Sequence, residues 1–350
     1  MFDIQPVSIS RLSEIDFGNI PFGKVFSDHM FLMNYEDGKW QKGRILPFQN
    51  LSLNPASSVI HYGQSIFEGM KAFRTADGKV NLFRPDKNIE RFNKSAVRMC
   101  MPEVDPEVFM EALDQLIRID KDWVPASDEA SLYIRPFMFA TDEYIGVKPS
   151  QNYSFMIFTC PVGKYYAGEV KVKVEKKYVR SAQGGTGFAK AAGNYAGALY
   201  PARLAQEEGY DQLIWTDAKE HKYIEESGTM NIAFRSGNKI LTPAVSETIL
   251  NGITRESAMQ LARDWGYEVE ERRVSVEEIL QLLKTGGLDE AFGLGTAATV
   301  APIRVIGFEG TDYELSPYSE WELAPKLSKE MDNLKRGRTQ DVHGWNRVID

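Results

Sequence analysis

Residues 79–83 and 170–174 alternate apolar and polar residues with a period of two, which predicts half-buried β-strands. Residues 131–140 and 154–160 are strand-like as well. Two further runs within residues 231–244 flank Ser236-Gly237-Asn238 and predict a β-hairpin that turns at these three residues.

Other segments repeat apolar residues every three or four positions, which predicts amphipathic helices. Residues 85–99, for example, place four apolar side chains at helical spacing: Ile89, Phe92, Ala96 and Met99. Helices and strands are mixed without a regular βαβ alternation. The pattern therefore favours an α+β fold over a doubly wound parallel sheet.

Capping residues mark the ends of two more predicted helices. Asp105 is a predicted N-cap and Pro106 occupies the first helical position, so a helix begins there. Ser275 and Glu278 form a capping box, and Gly286 supplies the stop of the later helix. The apolar residues of this later helix form one stripe, which we assign to the core: Val276, Ile279, Leu280 and Leu283.

The length of 350 residues predicts about two domains, each large enough to bury its own core. A stretch that contains proline, glycine and tyrosine, residues 161–170, is predicted to connect them. We therefore expect an N-terminal α+β domain at residues 1–163, an interdomain linker region at 164–176, and a C-terminal domain at 177–350.

The composition of 43% hydrophobic and 26% charged residues, with a net charge of −8, indicates a soluble globular protein and no nucleic-acid partner. The N-terminus shows no secretory signal, and no apolar stretch reaches the length of a membrane span, so we expect a cytoplasmic protein. Two cysteines, Cys100 and Cys160, cannot form a disulfide framework. The four histidines lack metal-ligand spacing, so no metal site is predicted.

Lys190 is the candidate reactive residue of the chain. It lies in GGTGFAKAAGNYAG, residues 184–197, where small neighbours allow a flat cofactor to approach the amine closely. One interpretation is a lysine that carries a cofactor as a Schiff base. The other is an ordinary surface lysine beside a glycine-rich turn.

Further motifs stand in a fixed order on both sides of this lysine. Upstream are PFGKVFSDHMFLMNY (21–35), HYGQSIFEGMKAF (61–73), LFRPDKNIERF (82–92) and SLYIRPFM (131–138). Downstream are YIEESGTMNIAF (223–234), ILNGITRESAMQLARDWG (249–266) and EAFGLGTAATVAP (290–302). Over nearly the whole chain these motifs resemble the branched-chain amino acid aminotransferases, which are pyridoxal-phosphate enzymes of fold type IV.

The resemblance implies a two-domain fold, with a smaller N-terminal and a larger C-terminal domain and the active site between them. It implies pyridoxal 5'-phosphate as cofactor and a homodimer as the assembly. The implied reaction is a reversible ping-pong transfer of the amino group between L-leucine, L-isoleucine or L-valine and 2-oxoglutarate. The partners expected from it are these small molecules, with glutamate as the product of 2-oxoglutarate.

The resemblance also assigns cofactor contacts. Lys190 is expected to form the Schiff base and then to act as the base at the substrate α-carbon. Glu226 is expected to hold the pyridine nitrogen. Without the motif, two adjacent glutamates between strands, here Glu225 and Glu226, more often belong to a solvated loop. The other expected cofactor contacts are Arg84, Arg180, Tyr195, Thr229, Gly252, Ile253, Thr254 and Thr296.

Some of these positions suggest anion binding without the resemblance. Arg84 follows a strand and precedes Pro85, which can direct the guanidinium inward toward a phosphate. Residues 252–254 begin an amphipathic helix, and the free N–H groups of a helix N-terminus bind anions. An ordinary capped helix is the alternative there. For Arg180, expected at the end of the strand before the lysine, the alternative is a surface charge.

Residues that match the family's substrate pocket are Phe22, Tyr62, Phe67, Tyr133, Arg135, Thr296 and Ala297. The aromatic residues are expected to line an apolar side-chain pocket, with ordinary core packing as the alternative for each. The Thr296-Ala297 turn is expected to receive the substrate α-carboxylate. Arg135 lies two positions from Tyr133 on the same strand face, where it can bind the second carboxylate of 2-oxoglutarate.

Two other functions remain open on the sequence alone. Another fold type IV reaction, D-amino acid transamination or aminodeoxychorismate lysis, shares the lysine and glutamate but lacks the longer upstream motifs. A catalytically silent carrier of pyridoxal phosphate has no need of Lys190, Glu226 and Arg84 together. The vertebrate-type Cys-x-x-Cys after the Gly-Thr-Ala turn is replaced by Ala298 and Ala301, which excludes a thiol switch at that place.

Overall fold

A computed structural model describes residues 2–21, 23–163 and 168–350. The chain divides into two compact units. The first unit comprises Met1–Tyr165, Ala189–Gly193 and Asn333–Asp350, and the second comprises Tyr166–Phe188 and Asn194–Asp332. The expected domains at 1–163 and 177–350 stay a prediction, as does an active site between them. Residues 164–167 of the expected linker region lie outside the described residues.

The first unit contains a ten-stranded sheet. Its strands are β1 (Asp3–Ile4), β2 (His29–Glu36), β3 (Lys39–Trp40), β4 (Arg44–Pro47), β5 (Ser65–Phe67), β6 (Met70–Arg74), β7 (Val80–Phe83), β8 (Ser131–Ala140), β9 (Tyr153–Val162) and β20 (Asn346–Ile349). They run in the order β1-β4-β2-β9-β8-β6-β7-β20, with β3 beside β2 and β5 beside β8. Only β1 and β4 pair in parallel among these strands.

Three α-helices of the first unit are α1 (Ser58–Tyr62), α2 (Pro85–Arg98) and α3 (Pro106–Ile119). The Asp105 side chain caps α3 by accepting the Glu107 N–H. The helices contribute to the core that the sheet also builds: the Phe155 ring of β9 lies 5.5 Å from the Phe92 ring of α2 and 6.0 Å from the Phe109 ring of α3. This apolar contact fixes α2, which carries residues of the candidate site, against the sheet.

The second unit contains another ten-stranded sheet. Its strands are β10 (Val170–Val174), β11 (Gln212–Thr216), β12 (Tyr223–Ser227), β13 (Asn231–Ser236), β14 (Lys239–Pro243), β15 (Glu268–Arg272), β16 (Val274–Ser275), β17 (Glu290–Gly295), β18 (Thr299–Phe308) and β19 (Thr311–Glu314). They run in the order β15-β14-β13-β17-β18-β10-β11-β12-β16, with β19 beside β18. Strand β10 pairs in parallel with both β11 and β18, and β14 with β15.

The remaining α-helices are α4 (Ala192–Glu207), α5 (Ile253–Asp264), α6 (Val276–Thr285) and α7 (Leu323–Lys335). The capping box of α6 is present on one side, because the Ser275 hydroxyl accepts the Glu278 N–H at 3.1 Å. Gly286 ends α6 at φ +70°, a conformation that favours glycine. Strands β13 and β14 form the expected hairpin.

Two sheets combined with helices confirm the predicted α+β class. The predicted helices α2, α3 and α6 are confirmed as well. One placement is wrong: Arg180 does not end a strand, because β10 ends at Val174 and irregular backbone follows. Among the described residues, no helix is long and apolar enough to span a membrane. The same residues contain no cluster of three or more potential metal ligands.

Candidate functional site

Lys190 is held through its backbone on two sides. Its N–H donates to the Ser95 hydroxyl on α2 at 2.9 Å, and its carbonyl accepts the Phe67 N–H at 3.0 Å. The neighbouring Ala191 forms a β-bridge with Ile66. Lys190 itself is half-buried, so the structure does not support the alternative of a surface lysine.

The side chain of Lys190 lies against a predicted substrate residue. Its Nζ is 4.8 Å from the centroid of the Phe67 ring, and the Arg135 guanidinium carbon is 4.6 Å from the same centroid. Arg135 also donates to the Tyr133 hydroxyl at 3.0 Å. A Cβ on Gly69 would lie 2.2 Å from that hydroxyl oxygen, so only glycine permits this approach. Lys190, Phe67, Tyr133 and Arg135 therefore form one cluster.

A buried ion pair beside this cluster was missed from the sequence. Glu68 is fully buried, and Arg91 donates to its two carboxylate oxygens at 2.7 and 2.8 Å. Asn88 donates to it at 2.7 Å. Burial raises the pKa of Glu68, but the charge and hydrogen bonds of Arg91, with a contribution from Lys190, outweigh burial and hold it below its usual value. The sequence signal that could have revealed this pair is the charged residue Arg91, which lies on a side of the predicted helix α2 that is buried.

Arg84 adopts an unusual backbone conformation immediately before α2. Its φ of +52° lies in the left-handed region, which a non-glycine residue occupies only when its surroundings impose it. Its N–H donates to the Trp345 carbonyl at 2.7 Å, and its guanidinium lies 5.2 Å from the Trp345 ring centroid. Arg84 is 5% exposed, which agrees with a guanidinium directed inward.

In the second unit, Glu226 is a buried carboxylate that interacts with Arg180 and with the backbone of Leu250. Arg180 Nε lies 3.0 Å from one oxygen, and the Leu250 N–H donates to the other at 2.7 Å. The Arg180 side chain is 9% exposed and also donates to the carbonyls of Gly187 and Thr248. The alternative of Arg180 as a surface charge is therefore wrong.

Glu225 precedes Glu226 on β12, and successive side chains of a strand point to opposite faces. Its Oε1 accepts the Thr248 hydroxyl at 2.5 Å, while its Oε2 is buried without a hydrogen-bond partner among the described residues. Burial raises the pKa of Glu225; Glu226 and Asp217 raise it further, while Thr248 and Arg180 oppose the change. The two glutamates are thus buried, and neither belongs to a solvated loop.

Several predicted cofactor residues line one cavity of the second unit. Arg180, Tyr195, Glu226 and Thr229 line it together with Asn194, Ala198, Gly228 and Leu250. Asn194 was not predicted; its side-chain amide donates to the Thr186 carbonyl at 2.8 Å and so ties the start of α4 to the preceding loop. Leu250 was missed because its contribution is a backbone N–H, which no side-chain pattern reveals.

Helix α5 begins as predicted, with Gly252 as N-cap and Ile253 and Thr254 in its first turn. Its N-cap residue is a glycine and therefore has no side chain that could cap this end. A Cβ on Gly252 would lie 1.7 Å from Asn231 Oδ1, so the close approach of Asn231 requires glycine here. The Asn231 amide in turn donates to the Leu250 carbonyl at 2.9 Å.

The turn Thr296-Ala297 lies at the same end of the sheet as the start of α5. It connects β17 to β18, whose residues Gly295 and Thr299 are paired. One step along the sheet, Leu294 pairs with Asn231, the residue that holds the loop before α5. The turn and the start of α5 therefore lie at the same end of these strands.

Two of the predicted aromatic substrate residues remain to be placed. Phe22 lies outside the described residues. Tyr62 ends α1 and is 42% exposed, so its contact with a substrate stays a prediction.

Comparison with known proteins defines the class. The family model of amino-transferase class IV matches residues 65–306. Branched-chain-amino-acid transaminase 1 of Bacillus subtilis is 47% identical over 335 residues, 94% of each chain. The crystal structure of the Escherichia coli branched-chain amino acid aminotransferase superposes with a TM-score of 0.74 at 27% identity, covering 92% of this chain and 99% of that one.

A third relative shares the fold at lower identity. The branched-chain amino acid aminotransferase from Thermobaculum terrenum, crystallised in its PLP-form, superposes with a TM-score of 0.71 at 21% identity, covering 91% of this chain and 98% of that one. The chain belongs to the amino-transferase class IV family and, within it, to the branched-chain-amino-acid aminotransferases. The family and the fold type expected from the motifs are therefore confirmed.

The donor set in the second unit fits the phosphorylated pyridine that this family implies. A protonated ring nitrogen requires an adjacent carboxylate. Glu226 is such a carboxylate: it is shielded from solvent, forms an ion pair with Arg180 and lines the cavity. A phosphate requires N–H donors, and α5 begins at a glycine N-cap, which has no side chain of its own to bind them. Tyr195 adds a hydroxyl to the same cavity.

Proposed function

We propose that this protein transfers the amino group between L-leucine, L-isoleucine or L-valine and 2-oxoglutarate in a reversible ping-pong reaction that uses pyridoxal 5'-phosphate. The observation that supports the proposal best is the cavity that joins Tyr195 and Thr229 to the buried Arg180–Glu226 pair, on a chain of this family. From the resemblance alone, we also propose a homodimer in the cytoplasm.

When bound, the cofactor supplies a carbonyl carbon for imine exchange and a conjugated ring that accepts an electron pair. Lys190 Nζ would hold it covalently; once released, this amine would move a proton between the substrate α-carbon and the cofactor carbon that supplied the carbonyl. The half-buried position of Lys190 against Phe67 limits the directions from which the amine can act.

Glu226 would keep a proton at the pyridine nitrogen, because its carboxylate stabilises the positive charge there. Arg180 positions Glu226 through the 3.0 Å ion pair. Tyr195 would donate to the ring hydroxyl oxygen, and Thr229 would contact the ring. Phosphate would be held by Arg84, by the first turn of α5 (Gly252, Ile253 and Thr254), and by Thr296.

The substrate side chain would rest on apolar surface, and its carboxylates would be held by donors. Phe67 and Tyr133 supply aromatic surface beside Lys190, and Phe22 and Tyr62 are proposed to extend it. The N–H groups of Thr296-Ala297 would receive the α-carboxylate. Arg135 would engage the second carboxylate of 2-oxoglutarate or glutamate.

The direct test is absorbance spectroscopy of the purified protein loaded with pyridoxal phosphate. We expect L-leucine to convert the cofactor to its amino form and 2-oxoglutarate to restore the starting spectrum. D-leucine is the control and should leave the spectrum unchanged. If D-amino acids convert the cofactor faster than L-amino acids do, the protein is a D-amino acid transaminase instead. If no amino acid converts the cofactor, the protein is a catalytically silent carrier.

A further inference from the structure

Two adjacent glutamates of β12 hold one loop of the second unit at two points. We call residues 246–252 the pre-helix loop, because it leads directly into α5. Glu225 accepts the hydroxyl of Thr248, and Glu226 accepts the N–H of Leu250. The function proposed above uses Glu226 and α5, but gives Glu225 no role.

Thr248 is the point at which several contacts of this loop converge. Its carbonyl accepts from Arg180 at 2.5 Å and from the Ser181 hydroxyl at 2.7 Å. Its own hydroxyl donates to Glu225 at 2.5 Å and lies 3.0 Å from the Ser246 hydroxyl. Thr248 thus connects Glu225 to the arginine that pairs with Glu226.

We propose that Glu225 is a positioning residue, which fixes the pre-helix loop through Thr248 and thereby aligns the Leu250 N–H on Glu226 and the first turn of α5. This inference rests on the proposed function for its catalytic meaning, since Glu226 and α5 are the groups assigned to the pyridine nitrogen and the phosphate. Its structural content, the ordering of the loop, is independent of that assignment.

The charges around Glu225 indicate that its role needs an acceptor oxygen and not a negative charge. Arg180 is the cation that faces it, while Glu226 and Asp217 are the nearby anions. Arg180 already pairs with Glu226, and the second oxygen of Glu225 has no partner among the described residues. Burial also raises the pKa of Glu225, because it disfavours the charged form of the carboxyl. A neutral side chain with one acceptor can therefore replace it.

The first test is hydrogen exchange of the cofactor-free protein, followed on peptides that cover residues 246–254. We expect Glu225→Ala and Thr248→Val each to accelerate exchange there about tenfold, equivalent to about 1.4 kcal/mol of lost local stability. The matched controls retain the hydrogen bond: Glu225→Gln keeps an acceptor and Thr248→Ser keeps the hydroxyl. Both should exchange like the wild type.

The double variant Glu225→Ala/Thr248→Val separates the proposed contact from general damage. If the two side chains act through one hydrogen bond, its exchange should match that of either single variant, because the bond is lost only once. Additive acceleration, or unchanged exchange in both single variants, would overturn the inference. Thermal unfolding of each variant identifies any general loss of fold, and Thr248→Val then provides the test because it preserves side-chain volume.

The second test measures pyridoxal phosphate binding to the same cofactor-free variants by absorbance titration. We expect the dissociation constant to rise about tenfold in Glu225→Ala and Thr248→Val and to recover in Glu225→Gln. Unchanged affinity despite faster exchange would overturn the link between the loop and the cofactor. Failure of the wild type to bind pyridoxal phosphate would instead contradict the proposed function, and the exchange result would still decide whether Glu225 orders the loop.

Discussion

Single residues of β12 show how adjacent side chains acquire different chemistry. Glu226 has an ion pair with Arg180 and a hydrogen bond from Leu250, which stabilise its charged form. Among the described residues, the Thr248 hydroxyl is the only hydrogen-bond partner of Glu225, at one oxygen, and burial raises the pKa of Glu225. Of the two carboxylates, Glu226 is therefore the better partner for a protonated pyridine nitrogen.

Glu226→Gln tests this assignment. An amide cannot stabilise the pyridinium charge, so we expect cofactor binding to persist while the half-reaction with L-leucine slows on the order of 100-fold. Stopped-flow absorbance measures the rate directly. The exposed Glu220→Gln is the matched control and should react like the wild type. An unaltered rate in Glu226→Gln would remove Glu226 from the assigned role.

Arg135→Ala tests how one pocket accepts both an apolar and an acidic substrate. Losing the partner of a buried carboxylate commonly costs about 2–5 kcal/mol, whereas a methylene of apolar contact costs roughly 1–3 kcal/mol. We therefore expect kcat/KM for 2-oxoglutarate to fall at least about 30-fold, and that for L-leucine to fall much less. Each half-reaction is measured separately, with the exposed Arg118→Ala as control.

Equal losses for the two substrates would contradict a specific role of Arg135 in binding the second carboxylate. The contacts of Arg135 with Phe67 and the Tyr133 hydroxyl would then be its main contribution, as a structural residue of β8.

Among the elements, α5 could be predicted from its local sequence, but the packing at its N-terminus depends on residues that are distant in sequence. Its start at Gly252-Ile253 follows from the sequence, but the need for glycine follows from Asn231, which lies on β13. The Asn231 side chain fills the space where a Cβ would stand and holds the Leu250 carbonyl. Because residue 252 is a glycine, Asn231 of the sheet can pack directly against the N-terminus of α5.

Gly252→Ala should displace this helix terminus. The new Cβ would overlap Asn231, and such overpacking typically costs about 1–3 kcal/mol. We expect weaker binding of pyridoxal phosphate but little change for pyridoxal, which lacks the phosphate. Gly197→Ala is the control, since a Cβ there meets no atom within 4 Å. Equal weakening of both ligands would argue against phosphate binding by α5.

The elements that the sequence predicted well are those whose signals are local. Helices α3 and α6 carry their own caps, and the β13–β14 hairpin carries its own turn. Arg180 was misplaced because the backbone after Val174 is irregular and has no periodicity to detect. The Glu68–Arg91 pair and the Leu250 N–H were missed because tertiary packing brings residues together that are distant in sequence. The roles of Glu226, Tyr195 and Thr229 came only from the family resemblance, whereas Lys190, Arg84 and the start of α5 also have signals of their own in the sequence.

At the scale of the whole molecule, Glu225 links stability to pH. Its pKa is raised from 4.5 in the folded protein, so the folded state holds this proton more tightly than the unfolded chain. The resulting stabilisation is fully present below pH 4.5 and is lost as pH rises through the folded-state pKa.

Glu225→Gln removes this titration. The free energy of unfolding of the variant, minus that of the wild type, should therefore increase as pH rises from below 4.5. Urea unfolding at a series of pH values measures the difference, with Glu220→Gln as the control for a glutamate that is exposed. A difference that is flat or decreases with pH would show that Glu225 does not hold its proton in the folded protein.

The central claim is that Lys190 carries the cofactor, and borohydride reduction followed by peptide mapping tests it most directly. Reduction of the protein loaded with pyridoxal phosphate converts a labile imine into a stable pyridoxyl amine on the lysine that formed it. We predict the label on the peptide that contains Lys190, and its loss in Lys190→Ala although pyridoxal phosphate still binds. A label on any other lysine, or no label on the loaded wild type, would contradict the account.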